Sequence, residues 1–260
     1  MCQIVPMEKI ALVCALKDEA SVSIAQALKE IGLPTWANYY EFDIDTTALP
    51  LEKVAERDII VVSKHQSAAG TTSLTSHSIG NFWNADFGGQ AKKLVGCLPK
   101  VQSNYVRWFE KEAKSGHEHF NVCLEVTHHG PFVEGKNVCF IELGSSLKEW
   151  NNKEYARMVA ENVVETTLKE NNDKVCIGLG GGHYAPEFTK LVLRKEFSFG
   201  HICPQYNLDN LTEDTLEQMI KLSGAEMIVI DWKGLKRNKE KVVSLCEKSG
   251  LPFERVQRLV

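Results

Sequence analysis

Residues 120–131, Phe120-Asn-Val-Cys-Leu-Glu-Val-Thr-His-His-Gly-Pro131, form the stretch that decides the fold. Its first half is mostly apolar and carries β-branched valines, which is typical of a strand covered on both faces. The strand ends after the two histidines, because Pro131 cannot donate a ladder hydrogen bond. Alternation would place His129 with Glu125 on one face and His128 on the other. We predict a central strand whose carboxyl end, where ligands bind in open α/β sheets, presents both imidazoles.

Short apolar runs alternate with longer amphipathic segments on both sides of this stretch. Strands alternating with helices of this kind are typical of parallel βαβ units. We therefore predict one α/β domain over residues 1–260, a three-layer fold with a mostly parallel central sheet and helices on both faces. We also expect an insertion within residues 64–120. The further strands predicted are 10–15, 39–44, 58–63, 137–143, 175–179, 199–202 and 227–231, and the helices are 18–31, 99–115, 151–169, 186–195, 212–222 and 235–249.

Composition is that of an ordinary globular protein, with 43% hydrophobic and 25% charged residues in a chain of 260. No apolar run approaches the ~20 residues of a membrane helix, and the first residues lack the basic start and apolar core of a secretory signal. We therefore expect a cytoplasmic protein without a membrane partner. The eight cysteines include no Cys-x-x-Cys pair, so we expect buried free thiols rather than a zinc finger or ribbon.

The net charge of -4 is unlike that of a typical nucleic-acid-binding protein, which is basic. Any contact with RNA must therefore depend on a local patch. Residues 233–241 hold five basic residues and one acid, and we take Lys233, Lys236 and Arg237 as candidate RNA-binding residues. The alternative is a solvated helix face without a partner.

Two polar motifs follow predicted strands. Residues 64–81 are rich in Ser, Thr, Gly and His and include Ser73, Thr75 and His77; they form either an exposed loop or the wall of a site. Residues 178–186, Gly-Leu-Gly-Gly-Gly-His-Tyr-Ala-Pro, match neither a P-loop nor the dinucleotide fingerprint. Their glycine N–H groups suit an anion or a developing oxyanion at a helix N-terminus. The alternative is a tight turn with one incidental histidine, His183.

Three histidines at strand ends, with a glutamate inside an apolar run, suggest hydrolytic chemistry. Glu142 is costly to bury unless it is paired or binds a cation. Histidine and glutamate are usual ligands of catalytic zinc, and zinc-bound water ionises near neutral pH. Without a metal, a histidine oriented by Glu125 or Glu142 can act as general base, and spacing does not decide between the two. The three candidate histidines are His128, His129 and His183. We expect surface or structural roles for His65, His117, His119 and His201.

Together these motifs resemble the archaeal and plant type of D-aminoacyl-tRNA deacylase. The resemblance runs in order from the first strand almost to the C-terminus, and the double-histidine and triple-glycine-histidine motifs are specific when they occur together. The residues that carry it are Ser73-Leu-Thr-Ser-His77 with Gly80-Asn81, Glu125-Val-Thr-His-His-Gly-Pro131, Gly180-Gly-Gly-His-Tyr-Ala-Pro186 with Thr189, Gly200-His201, and Asp231-Trp-Lys-Gly234.

The resemblance implies hydrolysis of the ester of D-aminoacyl-tRNA, releasing free D-amino acid and tRNA, which is chiral proofreading. It also implies a phosphorylase/hydrolase-like fold, zinc as cofactor and the tRNA acceptor end as partner; we expect no DNA partner, and a monomer. The segment around His77 would hold the terminal adenosine or the amino group. Catalysis would fall to His128, His129, His183 and Glu142, zinc ligation to the same three histidines, and substrate binding to Ser73, Thr75, His77, Thr127, Gly181, Gly182 and Tyr184.

Two other functions fit the same residues. One is a nucleoside phosphorylase-like or peptidase-like enzyme on the same fold, for which a phosphate requirement would distinguish the phosphorylase. The other is a non-catalytic module that binds the tRNA end. In that case, alanine substitutions at His129 and His183 would leave the deacylation of D-aminoacyl-tRNA unchanged against background.

Overall fold

The computed structural model describes residues 9–67 and 70–260. The N-terminal residues compared above with a secretory signal lie outside the described residues. Within the described ranges, no helix is both long enough and apolar enough to cross a membrane. The cysteines of these ranges are buried and unpaired, as predicted: Cys14, Cys97, Cys123, Cys139, Cys176, Cys203 and Cys246.

Each predicted strand and helix is present, with ends that differ by a few residues at most. The elements, in chain order, are β1 (Ile10–Ala15), α1 (Glu19–Ile31), β2 (Ala37–Phe42), β3 (Asp58–Gln66), β4 (Ser73–His77), α2 (Pro99–Ala113), β5 (Asn121–Leu124), β6 (Asn137–Ser145), α3 (Leu147–Trp150), α4 (Lys153–Thr166), β7 (Lys174–Leu179), α5 (Pro186–Arg194), β8 (Phe197–Cys203), α6 (Glu213–Ser223), β9 (Met227–Ile230), α7 (Lys239–Ser249) and β10 (Phe253–Arg255).

Local signals set the ends of the helices. The Asp18 side chain accepts a hydrogen bond from the backbone N–H of Ser21 at 2.8 Å and so caps α1, which ends at Gly32. Asn152 caps α4 in the same way, and Pro186 begins α5. These caps satisfy backbone donors that a helix leaves without an internal partner.

The strands divide between two sheets. The first has the order β2-β1-β3-β6-β4-β5, in which β2, β1, β3 and β6 are parallel and β4 and β5 run in the opposite direction. The second has the order β10-β9-β7-β8 and is parallel throughout. The predicted α/β class with mostly parallel strands is therefore confirmed. Both sheets contribute to one apolar cluster, which includes Ile141 of β6 and Val229 of β9.

The prediction that β5 is a central strand is wrong, because β5 is the last strand of the first sheet. The chain beyond it crosses to the second sheet: the Val126 N–H donates to the His183 carbonyl at 3.0 Å, and the Thr127 N–H donates to the Ile202 carbonyl at 2.9 Å. The predicted alternation of side chains also fails beyond Leu124. The strand ends there, and His129 has a positive φ of 43°.

The polar segment 64–81 contains β4, which the sequence analysis did not predict. Its five residues are buried, and β4 pairs with both β5 and β6. The Ser76 hydroxyl donates to the Phe140 carbonyl at 2.7 Å, whereas the Thr75 hydroxyl is buried without a hydrogen-bond partner among the described residues. The segment is therefore not simply an exposed loop, while the insertion within residues 64–120 stays a prediction.

Candidate active site

Five imidazoles and two carboxylates meet where the two sheets adjoin, and we call this group the polar cluster. The first sheet supplies side chains from β3, β4 and β6, the crossing segment after β5 supplies three more, and the loop after β7 supplies one. Its members are His65, His77, Glu125, His128, His129, Glu142 and His183.

Glu125 lies at the centre of the polar cluster. Its Oε1 atom is 2.9 Å from His65 Nδ1, and its Oε2 atom is 2.8 Å from His183 Nε2. His128 Nε2 lies 3.6 Å from the same Oε2 atom. The Glu125 side chain is fully buried, so its charge depends on these imidazoles for compensation. The sequence analysis considered Glu125 only as a residue that orients a histidine.

Glu142 is the second buried carboxylate. Its Oε2 atom lies 3.5 Å from His65 Nδ1, and its Oε1 atom lies 3.4 Å from His77 Nε2. The Ser63 hydroxyl donates a hydrogen bond to Oε1 at 2.9 Å. Glu142 sits opposite Thr75 in the β4–β6 pair, which brings β4 to the site. The structure thus places the predicted residues His77 and Glu142 side by side.

The two carboxylates set the protonation of their neighbours. Burial lowers the pKa of His65, but contacts with Glu125 and Glu142 outweigh it and raise this pKa to about 11. Burial would raise the pKa of Glu125, yet His183 and His65 hold it well below its ordinary value. Burial and the charge of His77 lower the pKa of His129 to about 4. Near neutral pH, His65 is therefore protonated beside ionised Glu125, while His129 is a neutral base.

Three imidazoles have their tautomers fixed by backbone carbonyls. His77 Nδ1 lies 3.2 Å from the carbonyl oxygen of Ser78. His128 Nδ1 lies 2.8 Å from that of Val126, and His129 Nδ1 lies 2.6 Å from that of Gly130. Since a carbonyl only accepts, Nδ1 carries the hydrogen in each ring. In neutral His128 and His129, the Nε2 lone pair is therefore available to a ligand or a proton.

His65 belongs to the polar cluster and is buried, so the surface position that the sequence allowed for it is wrong. Its Nε2 atom lies 3.1 Å from the Tyr184 hydroxyl, while its Nδ1 atom faces Glu125. His65 follows the predicted strand 58–63 directly, at the carboxyl end where the histidines were sought. It was missed because β3 extends to Gln66, beyond its apolar part.

Two cavities reach the polar cluster from different sides. The charged cavity, of about 580 Å³, is bordered by Lys17, Asp18, Asp45 and Lys64 together with His65 and Glu142. The aromatic cavity, of about 370 Å³, is bordered by Phe82, Trp83 and Tyr206. The two cavities share four lining residues, Phe87, His128, His129 and His183.

Several predicted substrate-binding residues lie behind the cavities. Ser73 and Thr75 are fully buried and border neither cavity. Thr127 does border the aromatic cavity, but its hydroxyl donates to His201 Nδ1 at 3.1 Å and accepts from the Ile202 N–H at 3.0 Å. The Thr127 hydroxyl therefore links the crossing segment to β8, and the expectation that His201 is structural agrees with this contact.

The glycine motif positions His183 rather than lining a cavity. A Cβ atom at Gly234 would lie 2.3 Å from the Gly181 nitrogen, so the loop after β9 packs directly on the loop after β7. Neither Gly181 nor Gly182 borders the two cavities described above. The oxyanion role expected for their N–H groups stays a prediction.

The basic residues after β9 are next to this loop. Lys233, Lys236 and Arg237 are exposed, and Arg237 forms an ion pair with Asp209. Because Gly234 touches Gly181, the basic patch is continuous with the loop that carries His183. The RNA-binding role expected of these three residues stays a prediction.

Three sets of side chains within the polar cluster have the donors of a metal site. In each set, the candidate ligand atoms lie within 4.8 Å of one another. Both carboxylate oxygens of Glu125 and Nε2 of His77 are buried without a well-formed hydrogen bond among the described residues. A cation is one partner that would satisfy such atoms. The sets are His77 with His128 and His129, His65 with Glu125 and His183, and His77 with Glu125 and Glu142.

Comparison with known proteins gives consistent matches. A family model described as D-aminoacyl-tRNA deacylase matches residues 53–254. A D-aminoacyl-tRNA deacylase of Methanocaldococcus jannaschii is 37% identical over 95% of this chain and 100% of its own length. One of Archaeoglobus fulgidus is 37% identical over 74% of this chain and 71% of its own. A crystal structure of a conserved protein of unknown function superposes with a TM-score of 0.90 at 30% identity, covering 97% of this chain and 96% of that one.

Proposed function

The chain belongs to the D-aminoacyl-tRNA deacylase family, and we propose that it hydrolyses the ester between a D-amino acid and the terminal ribose of tRNA. The products are the free D-amino acid and tRNA, so the reaction is a form of chiral proofreading. The observation that supports this proposal best is the polar cluster, in which bases, acids and candidate metal ligands converge where two cavities meet.

Ester hydrolysis needs a base to activate water and a donor to stabilise the oxyanion. His129 is neutral, has Nε2 free and lines both cavities, so it suits the role of base. Protonated His65 donates from Nε2 to the Tyr184 oxygen and so holds Tyr184, which borders neither cavity, beside the polar cluster. Glu125 stabilises the positive charge on His65 and orients His183.

The polar cluster also fits a divalent cation, and we propose zinc. Two buried carboxylates need two positive charges, which either protons on histidines or one dication can supply. Metal-bound histidines usually donate their other ring N–H to a carbonyl or carboxylate, as His77, His128 and His129 do here. These three histidines, or Glu125 with its neighbours, would hold the ion. A zinc ion bound there would lower the pKa of water toward 7.

The single most informative measurement is deacylation of matched D- and L-aminoacyl-tRNA, with and without chelator, alongside elemental analysis of the protein. We expect hydrolysis of the D-ester only, zinc in the purified protein, and a lower rate after chelation. Full activity in metal-free protein would leave the histidine base as the mechanism. No cleavage of the D-ester above background, with zinc present, would contradict the proposed function itself.

A variant tests the centre of the polar cluster. Glu125→Gln keeps the shape of the side chain but removes its charge, so we expect kcat for the D-ester to fall about 100-fold or more. Glu161→Gln is the matched control, because Glu161 forms a surface pair with Arg157 on α4. Equal kcat values for the two variants would exclude a catalytic contribution from the Glu125 charge.

A further inference from the structure

Solvent-exposed aromatic rings are concentrated around the aromatic cavity. Four aromatic side chains of the described residues are recorded as exposed, and three of them line this cavity: Trp83 at 45%, Tyr206 at 56% and Phe87 at 75%. The fourth, Phe253, lies on β10. Leaving large rings in water is unfavourable unless a partner covers them. Their concentration beside the histidines indicates a binding surface for a flat, partly apolar group.

The other groups around the cavity suit a nucleotide. The Lys92 ammonium lies 4.3 Å from the centroid of the Trp83 ring, which places a cation beside the ring. Side-chain amides of Asn84 and Asn207 also line the cavity, and such amides can pair with the edge of a base. The aromatic cavity has one carboxylate in its lining, Asp86, whereas the charged cavity has two lysines, two aspartates and Glu142 in its wall.

The loop that carries these rings is held in place. The Lys92 N–H donates to the Trp83 carbonyl at 3.0 Å, and the Gly130 N–H donates to the Phe87 carbonyl at 3.1 Å. The Asn81 amide donates to the Gly88 carbonyl at 2.9 Å. These hydrogen bonds connect the loop to the turn after the two histidines, so the rings lie beside the polar cluster.

We propose that the aromatic cavity binds the 3′-terminal base of the tRNA, with the base in contact with both Trp83 and Tyr206. The ester would then reach the histidines shared by both cavities, and the amino acid would enter the charged cavity. This assignment rests on the proposed function and replaces the segment around His77 as the adenosine site, because His77 is fully buried. Stacking tolerates any base, whereas the amides would favour adenine.

Binding of adenosine 5′-monophosphate to the full chain, measured by calorimetry, tests the assignment without requiring catalysis. Trp83→Ala and Tyr206→Ala should each weaken binding about 5- to 150-fold, the range for loss of one stacked ring. Trp83→Phe should recover most of the affinity, because it keeps a ring. Ribose 5-phosphate should bind more weakly than the nucleotide, since it has no base.

Phe253→Ala is the matched control, because it removes an exposed ring that does not line the cavity. The affinity of this variant for adenosine 5′-monophosphate should equal that of the wild type. Unchanged nucleotide affinity in both Trp83→Ala and Tyr206→Ala would overturn the assignment, as would equal binding of ribose 5-phosphate.

The deacylation assay distinguishes failure of the cavity assignment from failure of the proposed function. If wild-type protein cleaves the D-ester while these ring variants bind the nucleotide normally, the cavity assignment fails and the proposed function stands. If the protein binds the nucleotide through these rings but cleaves no ester, the proposed function fails instead.

Discussion

His201 shows how a single buried residue supports the site. Its ring is fully buried, with Nε2 3.0 Å from the Val95 carbonyl and Nδ1 3.1 Å from the Thr127 hydroxyl. Burial lowers its pKa to about 4. The ring is therefore neutral in the folded protein at neutral pH, and it fixes Thr127 directly before the two cavity-lining histidines.

This environment predicts a pH dependence of stability. An unfolded histidine has a pKa of about 6.5, so the unfolded chain gains a proton between pH 6.5 and 4 that folded His201 does not accept. The stabilisation that comes from keeping His201 neutral is complete above pH 6.5 and decreases as the pH falls toward 4. The free energy of unfolding, measured by urea denaturation, should fall between pH 7.5 and pH 4.5 in both proteins. The fall should be about 2 to 3 kcal/mol smaller in His201→Gln than in the wild type.

The control is Leu33→Gln, which changes an exposed side chain that carries no titratable group. Its loss of stability between the two pH values should match that of the wild type. Parallel losses in wild type and His201→Gln would show that His201 does not titrate as proposed.

At the scale of elements, the loop over residues 81–92 and the turn after the two histidines fit closely. A Cβ atom at Gly130 would lie 2.2 Å from the Gly89 nitrogen, a distance that real side chains do not tolerate. The atoms in the way are backbone atoms, so the whole loop would have to move. Phe87 and Trp83 would move with it.

We therefore expect Gly130→Ala to raise KM for D-aminoacyl-tRNA at least about tenfold, because misplaced cavity walls weaken positioning. Steady-state kinetics with thermal melting would measure this. Gly135→Ala is the control: its φ is +74° and nothing lies within 4 Å. It strains the backbone and should lower stability by about 1 kcal/mol while KM is unchanged. A normal KM in Gly130→Ala would contradict the close fit.

The elements that could be predicted from sequence were those with strong apolar periodicity. α1 was found by this periodicity, and β1 was found because it is a continuous apolar run. β4 was not, since its sequence Ser-Leu-Thr-Ser-His is polar and is buried by pairing on both sides. His65 was missed for a related reason, because the polar end of β3 does not look like a strand.

At the scale of the whole molecule, strand order is what the sequence could not provide. Hydrophobic patterns show that a strand is buried but not which strand lies beside it, so β5 was expected in the centre of one sheet. Two sheets instead adjoin at the segment after β5. The histidines still came together, because the segment after β5 crosses to the second sheet. It places the ring of His128 4.2 Å from that of His77 on β4 and 4.8 Å from that of His183 after β7.

The basic patch predicts a salt-dependent contact with tRNA despite the net charge of -4. Lys233→Glu combined with Lys236→Glu should weaken tRNA binding at least about tenfold in low salt. The slope of log affinity against log salt should fall by about 1.4 to 1.8 for two lost phosphate contacts. Filter binding over a salt series measures both quantities.

The control has the same change in charge at distant exposed positions, Lys53→Glu combined with Lys114→Glu. If this control weakens binding as much as the patch variant, the effect belongs to total charge and not to the surface beside His183.

The division of the polar cluster between two sheets has a consequence for how the protein ages and misfolds. His183 comes with the second sheet, and Glu125, 2.8 Å away, belongs to the crossing segment. A chain in which either half is wrongly assembled has no complete reactive centre, even when much of its secondary structure is intact. We therefore expect a misassembled chain to lose the polar cluster as a unit, whichever of the two sheets is at fault.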